Sequence, residues 1–143
     1  MKKSMIILGV LCLLFLTGCE LETSDNGNLD GFWHLERVDT LATQQSVDYS
    51  QAHIFWSFQF KLLQLSDLEN NTILYEFDTD GTHIVLVRPC MFDRSDGDSV
   101  VTDLKVLEPY GVNSTMEYLT IVSLDEERMV LKSAMLMLHF KKY

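Results

Sequence analysis

Apolar and polar residues alternate with a period of two through most of the chain after residue 30, and helical periodicity is scarce. The first strand expected from this pattern covers residues 32–39, with Trp33 and Leu35 on one face and His34 and Glu36 on the other. Residues 40–50 are polar and read as a loop. The longest run, residues 52–65, sets Ala52, Ile54, Trp56, Phe58, Phe60 and Leu62 on one face against His53, Ser57, Gln59 and Lys61 on the other. One dry face and one wet face is the pattern of an antiparallel sheet. A run this long needs a bend or bulge, expected near Leu62-Leu63, where the alternation slips.

Two further strands follow at residues 72–78 and 82–88, joined through Thr79-Asp80-Gly81. Asp-Gly between alternating runs is a hairpin signal, because the turn needs positive φ. Residues 89–103 form a polar excursion holding a short strand near residues 99–102. Leu104 to Tyr110 has room for one or two helical turns before Gly111 stops them, and Glu108-Pro109 forbids a longer helix. Three more strands, at residues 116–124, 128–133 and 135–142, close the chain. About seven or eight strands in sequential hairpins would leave bare edges unless the meander closed on itself. The expected fold class is therefore all-β: a small up-and-down antiparallel barrel with one short helical segment.

The amino terminus has a different grammar. Lys2-Lys3 precedes an apolar run from Met5 to Phe15, then Leu16-Thr17-Gly18-Cys19. The run is too short to span a bilayer, which takes about 20 residues, and matches a secretory signal. The four residues at its end resemble the lipobox of bacterial lipoprotein precursors. That resemblance implies cleavage after Gly18 and diacylglycerol and acyl chains, such as palmitate, on Cys19. Two or more chains anchor stably where one does not. Residues 19–29 are polar and acidic and read as a flexible tether. Acid directly after the cysteine also resembles the surface-export signal of lipoproteins in some Gram-negative gut anaerobes. The expected organisation is signal peptide 1–18, tether 19–29 and barrel 30–143. The expected location is the cell envelope, at the outer membrane, on its periplasmic or its surface face.

Composition narrows the partners. The chain carries 11 basic and 21 acidic residues; without Lys2 and Lys3 the balance is 9 against 21, or −12. Such a domain repels nucleic acid and anionic headgroups, so its membrane contact is expected through Cys19. Of 3 cysteines, Cys12 would leave with the signal and Cys19 would carry lipid, so Cys90 has no partner for a disulfide. Cys90 reads as a half-buried small apolar residue.

Gly31-Phe32-Trp33 at the head of the first strand resembles the G-x-W motif of the lipocalin and calycin group. With Tyr110-Gly111-Val112 before three strands and the closing Leu138-His139-Phe140-Lys141-Lys142-Tyr143, the chain from Leu29 to Tyr143 is similar to small lipocalin-like lipoproteins of gut anaerobes, a family of unknown function. The resemblance implies that a basic residue of the last strand packs across the tryptophan; here Lys141 or Lys142 stands where lipocalins carry arginine.

Trp33, Trp56, Phe58, Phe60, Tyr75 and Phe77 either line a cavity for an apolar ligand or fill the barrel. Eight-stranded barrels are just wide enough for either, and bulky residues on short strands favour filling. Trp33, Arg37, Trp56, Phe58, Tyr75 and Phe77 are the candidate ligand-lining residues. Alternation puts Arg37 on the face of Trp33 and Leu35, nearer the rim, where it would hold an anionic headgroup. Glu76-x-Asp78-x-Asp80-Gly81 lacks the twelfth-position carboxylate of a calcium loop, since Val87 stands there. Met135, Met137 and His139 at spacing two would suit Cu(I), but Met116 and Met129 mark methionine as core filler. No metal or cofactor is expected. G-x-S-x-G, H-E-x-x-H and glycine-rich phosphate loops are absent from the sequence, so no catalytic residue is assigned and no enzyme is expected. Two functions remain. One is a lipid-anchored barrel that binds a small apolar or amphipathic molecule. The other is a filled barrel presenting loops to an envelope protein or glycan.

Overall fold

A computed structural model describes residues 23–93 and 95–143. The signal peptide expected at residues 1–18, the lipidation of Cys19 and the first residues of the tether lie outside the described residues. Ten strands form one sheet: β1 (Gly31–Thr40), β2 (Ser46–Asp48), β3 (Phe55–Gln59), β4 (Leu62–Ser66), β5 (Thr72–Thr79), β6 (His83–Met91), β7 (Ser99–Val100), β8 (Glu117–Leu124), β9 (Arg128–Lys132) and β10 (Leu136–Lys142). Eight of them close into an antiparallel barrel in the order β1-β3-β4-β5-β6-β8-β9-β10, with β10 pairing back onto β1. Closure leaves the ring without a free edge. The two short strands are side ribbons: β2 extends the far half of β1, and β7 pairs with the end of β6.

Inward positions of the barrel strands are apolar except Glu117 on β8, from Trp33 and Leu35 on β1 to Leu138 and Phe140 on β10, and the apolar ones form one continuous core. Fully burying a side chain of this size is worth about 1.5–3 kcal/mol, so this face fixes the register of each strand. Three bulges bend the wall, between Leu35 and Arg37, between Leu74 and Glu76, and between Ile121 and Ser123. Arg88 and Pro89 lie opposite the second, where a proline costs no ladder bond.

One end of the barrel, the base, carries the tight turns at residues 60–61, 80–82 and 125–127 and the chain end at Tyr143. The Asp-Gly hairpin forms there as expected, with Gly81 at φ 85° and Asp80 accepting from the backbone N–H of Thr82 and His83. The other end, the mouth, carries the longer loops.

Two expectations are corrected. Residues 52–65 are not one bent strand but the hairpin β3–β4, turned at Phe60-Lys61. The turn hides from the sequence because a phenylalanine, Phe60, takes its positive φ of 54°. Two turn residues reverse the parity, so Leu63 and Leu65 point inward while Phe60 and Leu62 are exposed. The flexible tether does not extend to Leu29. Residues 27–29 make a 3-10 turn across the base, and Leu29 is buried beneath it. Asn26 Nδ2 donates to the Phe60 carbonyl at 2.7 Å, and the Ser24 hydroxyl accepts from the Phe60 N–H at 3.2 Å. Burying Leu29 and making these bonds offsets the ordering entropy that composition alone weighs.

Candidate functional site

Five of the six candidate ligand-lining residues are core. Trp33, Trp56 and Tyr75 are 0% exposed, Phe58 1% and Phe77 3%. Three of the five pack ring against ring. Trp56 lies 5.0 Å from Phe140 edge-on and 6.1 Å from Phe58, and Phe58 meets Phe77 edge-on at 5.2 Å. These are the spacings of packed aromatic pairs. The barrel is filled.

Arg37 is not with them. The bulge between Leu35 and Arg37 breaks the alternation and turns Val38 inward and the Arg37 guanidinium outward. There Arg37 Nε sits 3.1 Å from Asp39, and Asp39 also contacts His139 Nε2 at 2.7 Å and accepts from Ser46 Oγ at 2.6 Å. His139, the third residue of the Met135, Met137 and His139 spacing, is thus held by Asp39.

The mouth is corked. Residues 104–110 form two successive 3-10 turns, stopped by Gly111 in the left-handed region at φ 80°. Leu107 and Val112 are completely buried and Tyr110 is 4% exposed. A side chain could not replace the hydrogen of Gly111, because its Cβ would stand 2.8 Å from Leu138 Cδ2. Polar groups pin the cork where they would otherwise be buried unpaired. Trp56 Nε1 donates to the Tyr110 carbonyl at 3.0 Å, and the Tyr75 hydroxyl donates to the Ser114 carbonyl at 2.9 Å. Burial, reinforced by Glu117, pushes the Tyr75 hydroxyl pKa upward, so it stays a donor.

Glu117, only 6% exposed, sits beneath the cork and accepts from the Asn113 N–H at 2.9 Å. Burial raises its pKa against the opposing effect of the Asn113 and Ser114 N–H groups.

Concave surface lies outside the barrel, at its base and on its rim, and the rim carries two clefts on either side of the β4–β5 turn. One, of about 610 Å³, runs between residues 51–54, the turn and residues 105–110. Ile54, Leu68, Met91, Val106 and Pro109 make its apolar wall, with Lys105 and Glu69 at its edge. The other, of about 760 Å³, is lined by amide, hydroxyl and carboxylate groups, among them Gln64, Ser66, Asn70, Thr72 and Asp93. Asp67, Asn71 and Met91 border both.

Asp67 is the post between them. Its carboxylate accepts from the N–H groups of Glu69 (2.9 Å) and Asn71 (3.1 Å), from Asn71 Nδ2 (2.9 Å) and from the Tyr110 hydroxyl (3.0 Å). Burial works to raise its pKa, and these donors together outweigh it and hold the carboxyl below its ordinary range. With both oxygens taken it is a structural tie between turn and cork, not a free base. Sequence reasoning missed Asp67 and Leu107 and read Tyr110 only as part of the family resemblance and as the end of the helical segment. The available signal was local: a carboxylate four residues ahead of an asparagine in a loop, and apolar residues at 107 and 112 within a polar stretch.

The base holds the G-x-W motif in working form. Trp33 Nε1 donates to the Leu29 carbonyl at 2.8 Å. Lys142 is the basic residue over the ring: its Nζ stands 4.7 Å from the Trp33 centroid and donates to the Asn28 carbonyl at 3.2 Å. Gly31, at φ 130°, leaves room for this lysine, since a Cβ there would lie 2.9 Å from Lys142 Cε.

A family model described as a lipocalin-like domain matches residues 13–143. The fold is similar to the crystal structure of a lipocalin-like protein from Bacteroides uniformis, with TM-score 0.61 and 20% identity over 82% of this chain and 100% of that one. It is also similar to an uncharacterized protein from Bacteroides eggerthii, with TM-score 0.58 and 17% identity over 80% of this chain and 99% of that one. No curated protein matches the chain.

Proposed function

This chain belongs to the lipocalin-like domain family, and from that premise we propose that it is a lipid-anchored envelope protein that binds a small amphipathic molecule at its rim rather than inside its barrel. The anchor is the acylated Cys19, and the outer membrane is the expected site. The observation that carries the reading is the corked, aromatic-filled interior. It leaves surface clefts for a ligand, and the loop-built one at the rim combines an apolar wall with charged side chains. The apolar wall of Leu68, Met91 and Val106 suits an acyl or other hydrocarbon body, and Lys105 at its edge suits an anionic head.

A calorimetric panel of decanoate, lysophosphatidylcholine and a neutral oligosaccharide tests this. The expected result is binding of decanoate, weakened tenfold or more (about 1.4 kcal/mol) by Leu68→Asp. Leu68 is 68% exposed, so its replacement leaves the core untouched. Failure of every amphipath to bind, or binding indifferent to Leu68→Asp, contradicts the proposal. The amide and hydroxyl lining of the second cleft favours one further reading, a glycan laid beside the β4–β5 turn. Binding of the oligosaccharide alone would select it.

A further inference from the structure

We propose that the aromatic flank of the barrel base is a membrane-contact surface, which seats the domain base-down on the bilayer that holds its anchor. The inference rests on the lipid anchoring of Cys19 and adds an orientation to it. Three residues lie between Cys19 and Thr23, and four steps of at most about 3.3–3.6 Å each span no more than about 14 Å. The first contacts of the described chain with the barrel are there: Ser24 and Asn26 are bonded to Phe60 in the β3–β4 turn. A lipid-bearing cysteine so close to this turn leaves the base no room to stand far from the interface.

That side of the base is aromatic and exposed. Phe32 (37% exposed) stacks on Phe55 at 4.7 Å, and Tyr143 (84% exposed) packs edge-on against both, at 5.8 and 5.4 Å. Phe60, 43% exposed, borders the same groove of about 490 Å³ as Phe32, Thr23 and Ser24. A phenylalanine at an exposed turn with positive φ is unfavourable for the backbone and useless to the core. Facing a bilayer, its ring has a use. Tyrosine rings such as Tyr143 settle at the headgroup level, and phenylalanine rings bury at the acyl boundary beneath it.

Charge permits the contact. The flank carries Lys61, which is paired with Asp78, together with Lys141 and Asp30, so it is close to neutral. The acidic turn at residues 125–127 borders it, where the Lys142 N–H donates to the Glu127 carbonyl at 2.7 Å. Zwitterionic lipid carries no net charge, so these carboxylates do not repel it.

The test uses the lipidated protein in phosphatidylcholine vesicles, with a nitroxide at Gln59→Cys beside the flank or at Val47→Cys near the mouth, both in a Cys90→Ser background. Collision with oxygen, enriched in lipid, is compared with collision with a water-soluble nickel chelate, and mass spectrometry reports the lipid on Cys19. The expected result is an oxygen-to-nickel ratio several-fold higher at residue 59 than at residue 47. Replacing Phe32, Phe60 and Tyr143 with serine should abolish that difference while the lipid mass and the melting curve persist. Equal ratios at both labels in lipidated protein overturn the orientation and leave the anchoring standing. Shielding of residue 59 that depends on protein density assigns the flank to a second copy and also overturns it. Absence of the lipid mass overturns both.

Discussion

Trp33 joins the two ends of the chain. Its Nε1 holds the Leu29 carbonyl of the amino-terminal turn, and its ring lies beneath Lys142 of the last strand. Trp33→Phe keeps an aromatic body but strands the buried carbonyl, which should cost about 1–3 kcal/mol in urea unfolding; an unchanged midpoint would show that the bond is dispensable. Glu117 makes a different kind of prediction. Because burial raises its folded-state pKa above the ordinary 4.5, the unfolded chain ionises first as pH rises. The stability Glu117 contributes is full below 4.5 and is lost as pH climbs through the folded value. Glu117→Gln should remove that downward slope, read from denaturant midpoints across pH 4 to 8. Asp80 acts in the opposite sense. Backbone donors at His83 and Thr82 lower its pKa from 3.8 to about 2, so its contribution is lost as the solution is acidified through that interval.

Among the elements, the cork at the mouth decides what kind of lipocalin-like barrel this is. Its two 3-10 turns place Leu107 at complete burial, and Leu107→Ala should destabilise by about 2–5 kcal/mol, as truncating a packed leucine does. Increased binding of an apolar dye by a still-folded variant would locate the loss at the mouth; unchanged stability would mean the cork is not packed as described. The same element marks how far the pattern of residues could be read. Alternation disclosed the barrel, the Asp80-Gly81 hairpin and the helical stretch before Gly111, because each depends on short-range chemistry. It missed the turn at Phe60-Lys61, where no glycine or asparagine advertises positive φ. It misplaced Arg37, because a bulge is decided by the pairing of β1 with β10, which are distant in sequence. The cork's role was out of reach for the same reason: Tyr110 meets Trp56 and Asp67 only once the barrel has closed.

At the scale of the molecule, filling and closing the barrel divide the labour between its ends. The base gathers the amino-terminal turn, the G-x-W contacts and the aromatic flank around the point where the described chain begins. The mouth, at the far end, carries the cork and the two clefts. A domain seated base-down offers its clefts away from the membrane, where a ligand can reach them. The central claim is that the barrel is solid and the rim receives the ligand. Methyl-resolved NMR during a decanoate titration tests it most directly. The account predicts that signals of Ile54, Leu68, Met91 and Val106 shift with occupancy while those of Leu63, Leu65, Ile73 and Leu131 stay fixed. Shifts concentrated in the second set, with the rim unmoved, would place the ligand inside the barrel and contradict it.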